Sequence, residues 1–147
     1  MKKYVLGFLF SKDESHVVLI NKLNPAWQKG LFNGIGGKIE TNETARQAME
    51  REFLEETGVE IPAKQWTCYA QIHRPNIYLV DVFFAYSDLA YDAKTVEKEQ
   101  VEITSTSNLP KNLIPNLNWL IPLARDKQAD FSSPVVIQEV ATERVQP

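Results

Sequence analysis

The sequence has few of the residues that build disulfides, thiolate metal sites or membrane spans. It contains a single cysteine, Cys68, and two histidines among 147 residues. One thiol can form neither an internal disulfide nor a zinc site of several cysteines. No apolar run approaches the roughly 18 residues that span a bilayer, and the apolar stretch at 4–10 ends in polar residues without a cleavage site for a signal peptidase. We therefore predict a cytoplasmic protein with no membrane partner, in which Cys68 is a small apolar side chain on a strand.

A basic surface is also missing. The chain has 19 acidic and 16 basic side chains, which gives a formal net charge of −3, whereas nucleic-acid-binding domains carry clustered basic residues. We therefore expect no nucleic-acid partner. Hydrophobic residues make up 44% of the chain and charged residues 24%, a composition typical of a globular protein. The length fits one domain, predicted to span residues 1–147, and the sequence leaves monomer and homodimer open.

The order of apolar and helix-forming segments predicts an α/β fold with a mixed β-sheet and helices on both of its faces. Strands are predicted at 4–10, 16–22, 66–73, 77–87, 103–106 and 134–140, and helices at 43–57 and from Pro115 to about 128 with a kink at Pro122. The remaining segments are predicted as a loop at 23–32, an irregular stretch at 88–102 and a frayed tail at 141–147.

Two further local features frame the first helix. The glycine-dense run 33–39 is predicted to need unusual backbone torsions or a close approach of another backbone. Thr41 and Asn42 are the predicted N-cap residues of the helix. Gly58 is the predicted left-handed residue that ends it.

The helix predicted at 43–57 carries carboxylates where an amphipathic helix should be apolar. On a helical wheel, Met49 and Phe53 define the apolar face. Glu52 and Glu56 fall inside that face, and Glu55 lies at its edge. Burial of such a carboxylate without a partner costs several kcal/mol, roughly. A solvated acidic face is therefore the poorer interpretation of these three residues.

A divalent cation would resolve this conflict. Arg51 can pair with Glu55 one turn away, but one guanidinium cannot neutralise three carboxylates. Oxygen ligands on one helix face, with no histidine or cysteine among them, favour a hard ion such as Mg²⁺ or Mn²⁺. A backbone carbonyl from Gly36-Gly37 could be a further ligand.

Residues 37–59 resemble the Nudix box, Gly-x5-Glu-x7-Arg-Glu-U-x-Glu-Glu-x-Gly-U, where U is a bulky aliphatic residue. The matching residues are Gly37, Glu43, Arg51, Glu52, Glu55, Glu56, Gly58 and Val59. Phe53 is aromatic where the pattern has an aliphatic residue, a change expected to alter packing rather than chemistry. The resemblance implies a Nudix-like α/β/α sandwich. It also implies hydrolysis of a nucleoside diphosphate linked to another moiety, by water attack on phosphorus with Mg²⁺ or Mn²⁺ bound.

The resemblance further implies roles for these residues. Arg51 would orient the catalytic glutamates, and Glu43 would support the loop before the helix. The general base is left open between Glu52 and a glutamate of a more distal segment. The implied metal ligands are Glu52, Glu55, Glu56 and the Gly36 carbonyl, and the distal candidates for the base are Glu97, Glu99 and Glu102.

The run Asn33-Gly34-Ile35-Gly36-Gly37-Lys38 resembles the Asn-Gly-Phe-Gly-Gly-Lys of the mutator-type diphosphatases that hydrolyse oxidised purine nucleoside triphosphates. Phe32 stands where that branch has tryptophan and is a further candidate substrate-binding residue. The resemblance implies that Asn33 hydrogen-bonds a purine base, although an ordinary turn residue is the alternative. Lys38 and Lys22 are candidate phosphate contacts, with an exposed strand-end lysine as the alternative for Lys22.

A weaker resemblance to the same branch lies at 114–122. The branch has Trp-Pro-Asp-Asp there, and this chain has Ile114, Pro115, Asn116 and Leu117. Asn116 can still offer an oxygen and an amide to a purine, but the second carboxylate and the stacking tryptophan are gone. Specificity for 8-oxo-dGTP is thus left open.

Two alternative functions remain. Pro75 stands near the place where ADP-ribose hydrolases carry a proline, which favours ADP-ribose or another nucleoside diphosphate sugar as substrate. A non-catalytic Nudix-fold nucleotide-binding module is the other alternative. Such modules usually lose carboxylates of the box, whereas this chain retains them all.

Overall fold

The structure is a computed structural model of the chain and describes residues 1–140. The strands are β1 (Lys2–Phe10), β2 (His16–Asn21), β3 (Phe32–Asn33), β4 (Ile35–Lys38), β5 (Thr67–Arg74), β6 (Tyr78–Tyr86), β7 (Val101–Ser105) and β8 (Val135–Gln138). The α-helices are α1 (Ala45–Thr57) and α2 (Leu117–Ala124), and short 3₁₀ turns lie at Ala26–Gln28, Ala63–Gln65 and Asp88–Asp92. None of the helices within 1–140 is long and apolar enough to cross a membrane.

The strands form a single mixed sheet. Its order is β3-β2-β1-β6-β5-β8, with β4 also paired to β1 and β7 also paired to β2. β1 runs parallel to β6, whereas its neighbours β2 and β4 are antiparallel to it. The predicted mixed sheet is confirmed.

Strand β1 contributes side chains to both faces of the sheet, because successive residues of a strand point in opposite directions. Val5 and Leu9 pack in the core with α1, whereas Phe8 and Phe10 pack in the core with α2. The buried helix residues in these two cores are Ala48, Met49 and Phe53 of α1 and Leu117, Leu120, Ile121 and Ala124 of α2. The helices therefore lie on opposite faces of the sheet, which confirms the predicted α/β fold with helices on both faces.

Helix α1 begins later than predicted. Its N-cap is Thr44 rather than Thr41 or Asn42. The Gln47 backbone N–H donates to Thr44 Oγ1 at 3.1 Å, and the Thr44 backbone N–H donates to Gln47 Oε1 at 2.9 Å, which is a capping box. Asn42 has a φ of 69° and belongs to the turn that precedes the cap. Gly58 ends the helix in the left-handed conformation, with a φ of 77°, as predicted.

The glycine-dense run is largely strand rather than irregular backbone. Gly36 and Gly37 belong to β4, and positive φ angles among the glycines of 1–140 occur at Gly30 and Gly58 instead. Of the two alternatives predicted for this run, unusual torsions or a close backbone approach, the second is confirmed. A Cβ atom on Gly36 would lie 2.0 Å from the Val5 carbonyl oxygen of the paired strand.

Three other predicted segments differ from the structure. Helix α2 ends at Ala124, two residues after Pro122, instead of continuing to 128. The segment predicted as a loop at 23–32 contains a 3₁₀ turn and the start of β3, and 88–102 contains another 3₁₀ turn and the start of β7. The tail predicted at 141–147 lies outside the described residues.

Cys68 is on β5 as predicted, and burial raises the pKa of its thiol to about 11.

Candidate active site

Arg51 lies at the centre of a network of carboxylates. Its Nε and Nη2 atoms donate to the two oxygens of Glu43 at 2.9 and 2.6 Å. Its Nη1 donates to Glu52 Oε1 at 2.8 Å and to Glu55 Oε2 at 3.3 Å. Nη2 also donates to the Lys38 carbonyl oxygen at 3.0 Å. Arg51 thus joins the segment just before α1, strand β4 and the carboxylates of the helix face.

The charges within this network shift one another's pKa values. The hydrogen bond from Arg51 is the main reason that the pKa of Glu43 lies below its usual value. The same hydrogen bond, with a smaller contribution from Glu52, raises the pKa of Arg51. Both groups are therefore ionised at neutral pH, and Glu43 fixes the orientation of the guanidinium by binding it through two oxygens.

Glu52 is held in place by a glycine as well as by Arg51. Its side chain is 14% exposed, and a Cβ atom on Gly37 would lie 2.4 Å from the Glu52 carboxyl carbon. Any larger residue at 37 would displace the carboxylate. Burial raises the pKa of Glu52, although the hydrogen bond from Arg51 acts in the opposite direction. A raised pKa makes a carboxylate a better proton acceptor near neutral pH.

Glu56 is the most deeply placed carboxylate of the cluster. Its Oε2 atom is buried and has no hydrogen-bond partner among residues 1–140. Burial, reinforced by the neighbouring Glu52, raises the pKa of Glu56 to about 8, and the attraction of Lys22 offsets this only in part. Glu55 differs from it, because its side chain is 47% exposed and is held by Arg51.

Glu99 lies beside this cluster but is already hydrogen-bonded. It accepts from the Leu23 backbone N–H at 2.6 Å, from Lys22 Nζ at 3.1 Å and more weakly from the Asn24 backbone N–H at 3.4 Å. Burial raises the pKa of Glu99, but these hydrogen bonds outweigh it, and the net shift is downward. Glu99 therefore anchors the segment after β2 as an ionised carboxylate.

The other two distal glutamates are exposed. Glu97 is close enough to raise the pKa values of both Glu52 and Glu56. Glu102 is exposed on β7, opposite Leu19 of β2. Of the three distal glutamates predicted as alternatives for the general base, Glu97 and Glu99 are thus the two that interact with the carboxylates of α1.

A pocket of about 430 Å³ opens beside the carboxylate cluster, and Lys22, Gly36 and Gly37 line the end nearest to it. Several of its lining side chains belong to the core on the face of the sheet that carries α2, among them Leu6, Ile72 and Val80. The apolar and aromatic side chains that line it include Tyr4, Leu6, Trp27, Ile72, Tyr78, Val80 and Ile114. Pockets of this size and lining bind small organic ligands.

Three of the five candidate substrate contacts line this pocket, namely Lys22, Asn33 and Asn116. Asn33 Nδ2 donates to Gln28 at 3.3 Å, and Asn33 Oδ1 accepts from the Gly34 backbone N–H at 2.8 Å. Asn116 Oδ1 is buried and lacks a hydrogen-bond partner within the described part of the chain. A buried acceptor left unpaired costs about 1–3 kcal/mol, so a ligand that donates to Asn116 would remove that cost.

The other two predicted substrate-binding residues lie elsewhere. Phe32 is 7% exposed and packs in the core beneath α2. Lys38 is exposed at the end of β4, where its carbonyl oxygen accepts from Arg51. Tyr78 and Glu139, which were not predicted from the sequence, also line the pocket. Neither belongs to a local motif, and only the pairing of the strands brings them to this site.

The carboxylates of α1 are suitable ligands for a divalent cation, but they are not grouped closely enough to form a ligand set. Within residues 1–140, no three aspartate, glutamate, histidine or cysteine side chains are grouped as a ligand set. Arg51 holds Glu52 and Glu55 instead. The donors are nevertheless all oxygens, and Glu56 retains an unpaired buried oxygen. A hard cation would relieve the cost of burying Glu52 and Glu56 together, so these residues fit Mg²⁺ or Mn²⁺.

Comparison with known proteins gives concordant results. The family model of the NUDIX domain matches residues 2–118. The oxidized purine nucleoside triphosphate hydrolase of Danio rerio is 43% identical over 44 residues, which are 30% of this chain and 28% of that protein. The matched segment therefore covers less than a third of this curated relative.

Two solved structures resemble the fold. One is the MutT structure described for Aliivibrio salmonicida and Vibrio cholerae, with a TM-score of 0.64 and 21% identity over 82% of this chain and 96% of that one. The other is a bifunctional NMN adenylyltransferase/ADP ribose pyrophosphatase of Francisella tularensis complexed with AMP and a Mn ion. It has a TM-score of 0.62 and 20% identity over 86% of this chain and 41% of that one. Because the family model accounts for most of the chain and every specified position of the box except the aliphatic one at Phe53 is matched, the protein belongs to the Nudix hydrolase family.

Proposed function

We propose that this Nudix hydrolase is a metal-dependent pyrophosphohydrolase of purine nucleoside triphosphates. It would release the nucleoside monophosphate and pyrophosphate by water attack on phosphorus. The observation that carries the proposal is the pocket, which extends from Gly36 and Gly37 beside the carboxylate cluster to the unpaired amide oxygen of Asn116. A base bound at Asn116 would place its phosphates toward the carboxylates.

The metal proposed is Mg²⁺ or Mn²⁺, with Glu52, Glu55, Glu56 and the Gly36 carbonyl as its candidate ligands. Without a cation the acidic cluster would repel a polyphosphate. When bound, such an ion neutralises phosphate charge and lowers the pKa of a coordinated water. Arg51 keeps Glu52 in a fixed orientation through a 2.8 Å hydrogen bond, with Glu43 fixing Arg51 in turn.

Side chains of the protein would accept the proton of the attacking water and attract the phosphates. Glu52 is the first candidate for the base that accepts the proton of the attacking water, since burial raises its pKa. Glu99 is the alternative, but its carboxylate is held by Lys22 and by the backbone of Leu23. Lys22 also lines the pocket, so its ammonium group can attract the phosphates.

Purine triphosphates are favoured by the segments around the box. Asn33 and Asn116 both line the pocket, and the curated relative in Danio rerio is named an oxidized purine nucleoside triphosphate hydrolase. ADP-ribose is the alternative substrate, favoured by Pro75 and by the name of the Francisella tularensis structure. Pro75 is exposed in the turn between β5 and β6 and does not line the pocket, which weakens that alternative.

A turnover screen tests the proposal. The purified protein is assayed with Mg²⁺ and with Mn²⁺ against 8-oxo-dGTP, the four ordinary dNTPs, ADP-ribose and diadenosine polyphosphates. We expect a purine triphosphate to have the highest kcat/KM, with monophosphate and pyrophosphate as products. A preference for ADP-ribose of more than about tenfold in kcat/KM would exclude the proposed substrate class. Absence of turnover with every compound would instead favour a non-catalytic nucleotide-binding module.

A further inference from the structure

The pocket contains one carboxylate that no motif of the sequence points to. Of the described residues that line it, Glu139 is the single acidic one. It follows β8 directly in the chain, far from the box. An ionised carboxylate accepts hydrogen bonds and donates none, so Glu139 restricts which ligands the pocket can take.

Strand pairing brings Glu139 to the pocket. β8 runs parallel to β5, with Ile137 opposite Ile72, and the Glu139 backbone N–H continues the ladder by donating to the His73 carbonyl oxygen at 2.7 Å. Residues two apart on a strand face the same side. Glu139 therefore shares the face of Ile137, which packs against the core beneath α2.

Tyr78 fixes the orientation of this carboxylate. The Tyr78 hydroxyl donates a short hydrogen bond to Glu139 Oε2. Burial, with a smaller contribution from Glu139, raises the pKa of Tyr78 to about 12, so the hydroxyl keeps its proton at neutral pH. Tyr78 itself packs edge-on against Tyr4, with ring centroids 6.4 Å apart. The Glu139 carboxylate is thus oriented by a donor that keeps its proton.

The pocket consequently offers acceptors to the base that it binds. Asn116 contributes an unpaired buried oxygen, and Glu139 contributes a carboxylate. The hydrogen-bonding edge of guanine presents two adjacent donors, N1–H and the N2 amino group. Adenine presents one amino donor beside the N1 acceptor, which a carboxylate would repel, and hypoxanthine lacks the N2 amino group.

We propose that Glu139 is a specificity-determining residue that accepts hydrogen bonds from the N1–H and N2 amino donors of a guanine base. This inference rests on the proposed function. Tyr78 is the positioning residue of Glu139. The site then prefers guanine nucleotides to those of hypoxanthine and adenine.

Binding of nucleoside monophosphates tests this proposal without requiring hydrolysis. Dissociation constants for dGMP, dIMP and dAMP are measured by NMR titration for the wild-type protein, Glu139→Gln, Tyr78→Phe and the exposed control Glu60→Gln. We expect the wild type and Glu60→Gln to bind dGMP about tenfold more tightly than dIMP, because guanine offers one more hydrogen-bond donor to the acceptors of the pocket. Both proteins should bind dIMP more tightly than dAMP, because adenine has an acceptor at N1 where hypoxanthine has a donor. In Glu139→Gln the preference for dGMP over dIMP should shrink to within about threefold. Tyr78→Phe should reduce it to a smaller extent.

The outcomes separate the two proposals. A wild-type protein that binds dGMP and dIMP equally, or a Glu139→Gln variant that keeps the full preference, overturns the role of Glu139. The wild-type comparison remains decisive if a variant fails to fold. A protein that prefers dGMP through Glu139 but hydrolyses no triphosphate contradicts the proposed function while the base preference stands.

Discussion

The Glu52→Gln variant is expected to lose about a thousandfold in kcat while keeping its fold, since removal of a positioned acid or base typically lowers rates by about 10²–10⁴. Glutamine has nearly the same size, so it can still lie against Gly37 and accept the 2.8 Å hydrogen bond from Arg51. What it lacks is the negative charge that a cation ligand or a proton acceptor needs. Steady-state kinetics with the best substrate of the screen, in Mg²⁺ and in Mn²⁺, measures the effect.

Glu60→Gln is the matched control for this variant. Glu60 is exposed just after the box, and the same substitution there should leave kcat within about twofold of wild type. Equal melting temperatures of the two variants would show that Glu52→Gln remains folded. Turnover by Glu52→Gln at a rate close to that of Glu60→Gln would mean that Glu52 is neither base nor essential ligand.

Without divalent cations, the protein is expected to lose stability as the pH rises from about 4.5 to about 8. Burial raises the pKa of Glu56 from 4.5 to about 8 in the folded protein. The folded state therefore holds a proton that the unfolded state releases within this range. Each such proton changes the free energy of unfolding by at most about 1.4 kcal/mol per pH unit. Glu56→Gln, which stays neutral, should flatten the dependence, as thermal unfolding in EDTA at several pH values would show.

Two comparisons make this expectation specific to Glu56. The difference in melting temperature between Glu56→Gln and wild type should grow with pH, whereas Glu60→Gln should follow the wild-type curve. Burial also raises the pKa of Glu52, so part of the wild-type slope should survive in Glu56→Gln. Parallel curves for wild type and Glu56→Gln across this range would show that the Glu56 carboxyl is not protonated in the folded protein.

The period of the apolar residues was sufficient to predict the layers of the fold. The apolar face around Met49 and Phe53 is buried as the helical wheel indicated, and the strand alternation of Val5, Phe8 and Leu9 places two cores on opposite faces of the sheet. The helix start was missed because several capping residues precede α1. The pair Thr44 and Gln47, three apart, was the local signal that identifies the cap.

The candidate site was predictable only where it is local in sequence. Glu52, Glu56 and Arg51 lie within two turns of one helix, so their spacing predicted that the carboxylates share a face with Met49. Tyr78 and Glu139 are 61 residues apart, and nothing in either segment shows that β5 lies between β6 and β8. Strand order depends on the packing of the whole sheet, which periodicity does not encode.

The negative charge of the chain is concentrated around helix α1. Seven of its 19 acidic residues lie within residues 37–60, and Arg51 hydrogen-bonds to three of them. Glu56 receives no such hydrogen bond at Oε2 within the part of the chain that the structure describes. Glu56 is therefore the carboxylate of the cluster at which a bound cation would relieve the largest cost of burial.

Binding of Mn²⁺, followed by electron paramagnetic resonance at pH 7.5 without nucleotide, is the most direct test of whether the carboxylates of α1 form a metal site. We expect wild-type protein and Glu60→Gln to bind Mn²⁺ alike. Glu52→Gln and Glu56→Gln should each bind it at least about tenfold more weakly, because each removes a charged oxygen ligand. Wild-type protein that binds no Mn²⁺, or a Glu56→Gln variant with unchanged affinity, would contradict the claim that the buried carboxylates of α1 form the metal site.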